Sequence, residues 1–235
     1  TQLMAATAVT VPLNDRLGFD LDAIAAAITD KTKLVFLATP NNPTGTAVST
    51  AEIAAMLERV PDEVIVVVDE AYREFVDPSF GDPVTDLLPD HPNVLVTRTM
   101  SKAHGLAGLR LGYGIGHPEV ISSIDKTLAP FAVNAMAQAA GIAAIDHEAE
   151  VEERVRQILG ERTRVVAALT AAGWTLPDAQ ANFVYLDLGE RTDEIYVAME
   201  KMGVVTRPFS GEGIRVTIGA PAENDRFLQA LAACA

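Results

Sequence analysis

Four short segments carry side chains that could perform covalent and acid–base chemistry. They cover residues 41–45, 69–72, 99–102 and 108–110. A lysine amine such as that of Lys102 can form an imine with an aldehyde. A carboxylate such as that of Asp69 can hold a protonated ring nitrogen. An arginine such as Arg110 can grip a phosphate through two parallel hydrogen bonds.

Together these segments supply the parts that a site for pyridoxal 5'-phosphate (PLP) needs. Asn42 and Tyr72 could stabilise the phenolate oxygen of the ring. The hydroxyls of Thr99 and Ser101 could join Arg110 at the phosphate. Each segment is weak evidence by itself, but together they supply each part that the chemistry needs, so we expect PLP as the cofactor.

The local pattern leaves a structural interpretation open for each candidate. Asp69 could be a charge leaving a strand, and Asn42 could belong to a simple turn. Lys102 could be solvated and Tyr72 could pack in the core, as is common for these residue types. Arg110 lies between leucines, where a buried guanidinium would need an anion, so a structural ion pair is its alternative.

The elements that must position these residues alternate between strands and helices, as in an α/β fold. The apolar runs predict strands over residues 33–38, 64–68, 94–97 and 111–115, and residues 8–13 are also strand-like. Ser49 and Glu52 form a capping box that opens a helix to about Val60. The candidate segments lie at or just beyond predicted strand ends, the edge where open parallel sheets bind ligands.

In the second half of the chain, helical periodicity is more prominent than strand-like runs. Helices are predicted over residues 119–128, 134–145, 148–172, 192–202 and 223–233, and strands over 182–188, 204–209 and 214–218. Gly173 is a plausible cap at the end of the longest helix. We therefore expect a large domain over residues 1–133 and a small C-terminal α+β domain with linking helices over residues 134–235.

With these residues in place, the chain resembles the fold-type I PLP-dependent aminotransferases of class I and II, in their histidinol-phosphate aminotransferase-like branch. The resemblance makes Lys102 the Schiff-base lysine, and Arg110, eight residues later, the phosphate-binding arginine. It makes Asp69 the pyridinium partner, with Tyr72 and Asn42 on the phenolate oxygen. It also implies the type I PLP-dependent transferase fold, with a mostly parallel sheet in its large domain.

The resemblance extends to the substrate side near the C-terminus. It implies that Arg215 grips the substrate carboxylate and that Asn182 lies beside the substrate. Solvent exposure on a strand is the alternative for Arg215. Arg207 is either a surface charge or a second anion contact in the substrate pocket.

The activity that the resemblance implies is a ping-pong transamination, in which Lys102 moves a proton at the substrate. Segments 204–209 and 215–221 look closest to the bacterial aromatic amino acid branch, with 2-oxoglutarate as the second substrate. Histidinol phosphate is the alternative substrate, because the two arginines could serve either. Decarboxylation of an amino acid phosphate and a regulator's sensor domain are further alternatives. The resemblance also implies a homodimer.

The amino-acid composition argues against several classes of binding partner and cofactor. A net charge of −14 and a pI near 4.6 argue against nucleic acid and membrane surfaces. The single cysteine, Cys234, cannot form an internal disulfide, which fits a reducing cytoplasm. The glycines near residue 110 do not have the dinucleotide-binding spacing, and the histidines do not have metal-ligand spacing, so we expect neither NAD nor a metal.

The chain begins with Thr1, and we expect its natural beginning to lie upstream. Members of the family carry an N-terminal arm and an early strand–helix turn, whose backbone N–H groups would complete the phosphate site. The sequence offers no counterpart of that turn. We therefore expect this chain alone to bind PLP weakly.

Overall fold

The computed structural model describes residues 5–234, which form two β-sheets connected by helices. The strands are β1 (Leu34–Ala38), β2 (Ile65–Asp69), β3 (Val94–Thr99), β4 (Gly112–Gly116), β5 (Phe183–Asp187), β6 (Arg207–Phe209) and β7 (Gly213–Thr217). The helices are α1 (Leu21–Ala26), α2 (Thr50–Leu57), α3 (Pro83–Asp86), α4 (Pro118–Asp125), α5 (Ala135–Asp146), α6 (Glu148–Ala171), α7 (Thr192–Lys201) and α8 (Pro221–Cys234). The architecture is α/β with a mostly parallel first sheet, as the sequence predicts.

The first sheet has the order β1-β2-β3-β4, with three parallel strands and an antiparallel fourth. Its register aligns Ala38 with Asp69 and Asp69 with Thr97, so the carboxyl ends of the parallel strands share one edge. The β-branched run of β2 lies centrally, as its lack of polar alternation predicts.

One face of this sheet is covered by α1 and α2. Leu37, Val66 and Val68 are completely buried there, together with Ile53 of α2. The capping box at Ser49 is present, since Glu52 and Ser49 each bond to the other's backbone N–H. On the opposite face, Phe36 of β1 keeps 63% of its surface exposed.

The second sheet is antiparallel, with the order β5-β7-β6. Its core joins Leu186 and Ile214 to Met199 of α7, Leu231 of α8 and Leu169 of α6. Burial of these aliphatic side chains is the main force that holds the three helices on the sheet.

Hydrogen bonds join the second sheet to the carboxyl edge of the first. The backbone N–H of Gln180 donates to the Gly45 carbonyl at 2.8 Å. The Arg162 guanidinium of α6 donates to the carbonyls of Phe75 and Ala181, each at 2.9 Å. The loops that carry the candidate segments are therefore tied to the strand that follows Ala181.

Two sequence-based expectations about elements need correction, and a helix near the start of the chain was missed. Residues 8–13 form no strand, because they pair with no other strand in the described part of the chain and Pro12 has no N–H to donate. The strand predicted over 204–209 is confined to Arg207–Phe209, where it pairs with β7. Helix α1, capped by the Asp20 side chain, was not predicted.

The division into domains at residue 133 stays a prediction. Gly173 adopts a φ of 91° directly after α6 ends, which agrees with its predicted role as a cap. None of the helices within residues 5–234 combines the length and the apolar character that a membrane crossing requires.

Candidate active site

The candidate side chains gather at the carboxyl edge of the first sheet. Asn42 lies in the loop after β1, Asp69 is the last residue of β2, and Lys102 lies in the turn after β3. Arg110 reaches the same edge from the other direction, since antiparallel β4 begins two residues later. Parallel strands bring such loops together whatever their separation in sequence.

Asp69 is exposed and its carboxylate is held by the neighbouring strand. The Thr97 hydroxyl donates a hydrogen bond of 3.2 Å to the Asp69 Oδ1. The two residues lie opposite each other in the β2–β3 register, so their side chains share one face of the sheet. This contact orients the carboxylate at the strand end.

Lys102 lies beside the ring of Tyr72. The Lys102 Nζ is 5.0 Å from the ring centroid, and the lysine is exposed while Tyr72 is only 5% exposed. Tyr72 packs edge-on against Phe183 of β5, with ring centroids 5.1 Å apart. The two interpretations of Tyr72 are therefore compatible, because its ring is packed in the core and also lies next to the Lys102 amine.

A loop rich in hydroxyls follows β3. The Thr99 hydroxyl donates to the Ser101 Oγ at 2.8 Å, and the Ser101 backbone N–H donates to the Thr99 Oγ1 at 3.1 Å. Two hydroxyls are therefore close together at the start of the segment that carries Lys102.

Arg110 is exposed and, among the described residues, its side chain bonds only to its own turn. Its Nη1 donates to the Ala107 carbonyl at 2.8 Å, and its backbone has a φ of 56°, uncommon for a residue with a side chain. Within residues 5–234, no carboxylate lies within 4.0 Å of its guanidinium. The structural ion pair offered as its alternative is thus not formed.

Arg215 of β7 reaches across to the first sheet. Its Nη1 donates a hydrogen bond of 2.7 Å to the Asn42 Oδ1, and its Cζ lies 5.1 Å from the Phe183 ring centroid. Its Nε is buried and, in the part of the chain that the structure describes, has no hydrogen-bond partner. A cation with an unused donor at the candidate site is suited to bind an anion.

Arg207 lies beside Arg215, whereas Asn182 lies further along the same sheet, and both make fewer contacts. Arg207 is exposed and stands directly opposite Arg215 in the β6–β7 register. Like charges directly opposite each other are unfavourable unless an anion lies between them. Asn182 is half-buried just before β5, and its carbonyl accepts from the Ile218 N–H at 2.9 Å.

Two cavities border these elements. One of about 510 Å³ is lined by Arg207, Arg215 and Thr206 among others. The other, of about 800 Å³, is lined by His104 and Arg98 among others and includes neither Lys102 nor Asp69. The geometry of the polar side chains, rather than cavity size, therefore locates the candidate site.

Three contributors were not predicted from the sequence. Thr97 holds Asp69, and its only sequence signal is that it alternates with Thr99 along one strand. Phe183 contacts both Tyr72 and Arg215, and its signal is the position next to Asn182. Tyr185 faces Arg215 across the β5–β7 ladder, and burial raises the pKa of Tyr185 to about 12, so its hydroxyl keeps its proton.

The donor set fits PLP. The edge presents an amine on Lys102, a carboxylate on Asp69 and a cation on Arg110 without a carboxylate partner among the described residues. These are the groups that an aldehyde, a ring nitrogen and a phosphate require. The hydroxyls of Thr99 and Ser101 add donors beside the loop.

Comparisons with known proteins agree with this arrangement. Residues 1–231 match the family model for aminotransferase class I and II. The aromatic amino acid aminotransferases of Thermobifida fusca and Streptomyces avermitilis are 55% and 53% identical, each over 97% of this chain and over 63% and 64% of their own lengths. The chain thus spans less than two thirds of the length of these relatives.

A solved structure is similar over the whole fold. The histidinol-phosphate aminotransferase of Sinorhizobium meliloti, in complex with pyridoxal-5'-phosphate, superposes with a TM-score of 0.84 at 29% identity. The match covers 97% of this chain and 65% of that one.

Proposed function

The chain belongs to the class I and II aminotransferases, and from this membership we propose that the protein transfers an amino group between an aromatic L-amino acid and 2-oxoglutarate, with PLP as cofactor. One observation carries the proposal: Lys102, Asp69 and Arg110 converge on one sheet edge, and Arg215 reaches that edge from the second sheet. The names of the relatives, at 55% and 53% identity, support the aromatic substrate.

The chain's own residues divide the work of holding PLP. Lys102 would hold the aldehyde end, Asp69 would face the ring nitrogen, and Arg110 with Thr99 and Ser101 would hold the phosphate. Bound PLP supplies an electron-accepting ring that makes a substrate α-hydrogen acidic. The Lys102 Nζ, which is exposed beside Tyr72, would then accept and return that proton.

Tyr72 and Asn42 would act on the phenolate oxygen of the cofactor. Asn42 also accepts the hydrogen bond from Arg215, so one amide touches both the proposed cofactor group and the proposed substrate group. Arg215 bonds to the Oδ1 of Asn42, so the amide N–H₂, which has no acceptor within residues 5–234, can donate to the cofactor.

Arg215 would bind the substrate carboxylate, with Asn182 beside it and Arg207 as a second cationic contact. The unused Nε of Arg215 and its position over Phe183 support this role. An arginine offers two parallel donors to a carboxylate, which orients the substrate as well as binding it.

The test of the substrate is spectroscopic. With PLP bound, L-phenylalanine should convert the cofactor absorbance to that of the aminated form, and phenylpyruvate should reverse the change. Histidinol phosphate is the alternative substrate, because the facing pair Arg207 and Arg215 could hold a phosphate dianion as well. Conversion by histidinol phosphate and none by phenylalanine would establish that alternative.

We further propose that the protein works as a homodimer in the cytoplasm. Helix α5 is apolar on nearly all sides, and its Met136, Ile142 and Ile145 are exposed by 75%, 64% and 64%. An apolar surface of this kind is typical of a face that a partner covers. Sedimentation that gives the mass of a single chain would contradict the dimer.

A further inference from the structure

Four charged side chains form a closed ring beside the candidate site. They are Glu70, Arg73, Asp82 and Arg98, called the ion ring below. Arg98 donates to the Glu70 Oε2 from Nε at 2.8 Å and from Nη2 at 2.7 Å, and its Nη2 also meets the Asp82 Oδ1 at 2.7 Å. Arg73 closes the ring, at 3.3 Å from the Asp82 Oδ2 and 3.5 Å from the Glu70 Oε1.

The ion ring lies on the far side of the sheet from the Asp69 carboxylate. Arg98 lies between Thr97 and Thr99 on β3, and successive strand residues point to opposite faces. Since the Thr97 hydroxyl bonds to Asp69, Arg98 projects away from that carboxylate. The ring therefore cannot contact a ligand at Asp69 and can act there only through the backbone.

Burial opposes any contribution of the ring to stability. The Glu70 side chain is only 4% exposed and that of Arg98 only 16%. Burial raises the pKa of Glu70 despite the opposing effect of Arg98, so the charged carboxylate is less favourable here than in water. Buried ion pairs of this kind often contribute little to stability, and their best attested benefit is a fixed geometry.

Each of three ring members is the chain neighbour of a proposed cofactor residue. Glu70 follows Asp69, Arg73 follows Tyr72, and Arg98 precedes Thr99. Apart from the ring, the ends of β2 and β3 are joined at this point by the backbone bond from the Glu70 N–H to the Thr97 carbonyl, at 2.8 Å, and by the bond from the Thr97 hydroxyl to Asp69.

We propose that the ion ring is a positioning device that fixes Asp69, Tyr72 and Thr99 relative to one another, and so sets the environment of the cofactor. This inference rests on the proposed function. Glu70, Arg73, Asp82 and Arg98 are positioning residues, since none of them faces the cofactor side. A displacement of about 1 Å is enough to impair a site of this kind strongly.

The central test is the double variant Glu70→Gln/Arg98→Gln. Either single variant leaves the buried ring with an excess of one charge, so it loses stability whatever the ring is for. The double variant removes one charge of each sign and leaves Arg73 paired with Asp82, so the charges that remain stay balanced. The main change is then the loss of the bonds that fix Glu70 and Arg98 relative to each other.

Two readouts separate positioning from a purely structural role. We expect the urea midpoint of unfolding to be the same for the double variant as for wild type. The double variant should nevertheless bind PLP about tenfold more weakly. This loss is comparable to that seen when groups that orient a metal ligand are removed. We also expect a different pH for the absorbance change of the bound cofactor. A double variant with wild-type PLP affinity and wild-type pH response would overturn the positioning role.

A control ion pair lies on the helices that cover the first sheet. Asp22 and Arg59 form an exposed ion pair at 2.7 Å between α1 and the end of α2. The variant Asp22→Asn/Arg59→Gln should leave PLP affinity and the pH response unchanged. If wild-type protein itself binds no PLP, the proposed function fails and the role of the ring fails with it; normal binding by the double variant defeats the ring alone.

Discussion

Arg215 on β7 donates a hydrogen bond of 2.7 Å to Asn42, in the loop after β1, and this bond links the two sheets at the candidate site. The residues are 173 positions apart in sequence. Asn42 is a proposed cofactor residue and Arg215 is a proposed substrate residue. A ligand that moves one of these side chains can therefore shift the other through this bond.

Replacing Arg215 by lysine should weaken substrate binding and leave PLP in place. Lysine keeps the charge but loses the paired donors that suit a carboxylate. We expect kcat/KM for phenylalanine to fall about 10- to 100-fold, which matches about 1.5–3 kcal/mol for hydrogen bonds to a charged group. Arg164→Lys, in an exposed ion pair on α6, is the control and should not change steady-state kinetics. Equal kinetics in the two variants would remove Arg215 from the substrate site.

Replacing Tyr72 by phenylalanine separates the packing of its ring from the proposed role of its hydroxyl at the cofactor. The ring contact with Phe183 survives the change, so the melting temperature should stay close to that of wild type. Loss of the hydroxyl should lower kcat about tenfold, because a hydrogen bond to a charged group is worth about 1.5–3 kcal/mol. Unchanged kcat would mean that Tyr72 is only a core aromatic residue.

Gly213 should tolerate no side chain. A Cβ at this position would meet the Leu186 carbonyl and lie 2.6 Å from the Tyr185 hydroxyl. Gly213→Ala should therefore lower the free energy of unfolding by about 1–3 kcal/mol. Gly160→Ala is the matched control, since Gly160 lies inside α6 with open space around it and should gain about 0.5–1 kcal/mol. Urea unfolding curves measure both, and a loss at Gly160 equal to that at Gly213 would contradict the packing argument.

Glu74 should make stability depend on pH. Burial raises the pKa of Glu74, and its Oε2 has no hydrogen-bond partner among the described residues. The native state therefore holds this proton to higher pH than the unfolded state does, and the group costs stability as pH rises above the ordinary value of about 4.3. Glu74→Gln should be more stable than wild type at pH 7, with the difference vanishing at lower pH.

The control for this prediction has the opposite sign. Hydrogen bonds from Arg164 and Asn224 lower the pKa of Glu161. Its charge stabilises the native state above the ordinary carboxyl range, and this contribution disappears as pH falls. Glu161→Gln should thus be less stable than wild type at pH 7. The same sign for both variants in urea unfolding at pH 7 would refute the assignment.

Local signals in the sequence predict much of the fold. The apolar run of β2 identifies a central strand, and the pair Ser49 and Glu52 marks the start of α2 to within a residue. The failure at residues 8–13 is physical, because strand-like composition gives no strand without a partner to pair with. The antiparallel direction of β4 depends on how its connection folds back, which composition does not encode.

Some residues of the candidate site could likewise be predicted from the sequence and others could not. Asp69 and Lys102 could be identified from their positions after predicted strands, since parallel strands bring such ends together. The bond between Asn42 and Arg215 could not, because it depends on how the two sheets dock. The partners of Glu70 were equally hidden, since Asp82 and Arg98 come from two other segments.

The amine of Lys102 is the residue on which the whole account depends, and borohydride reduction tests it directly. The PLP-loaded protein is reduced, digested and mapped by mass spectrometry, with Lys102→Ala and Lys126→Ala treated in parallel. We predict that the cofactor is fixed on Lys102 in wild type and in Lys126→Ala, and on no residue in Lys102→Ala. A label at another lysine, or none in wild-type protein that has bound PLP, would contradict the account.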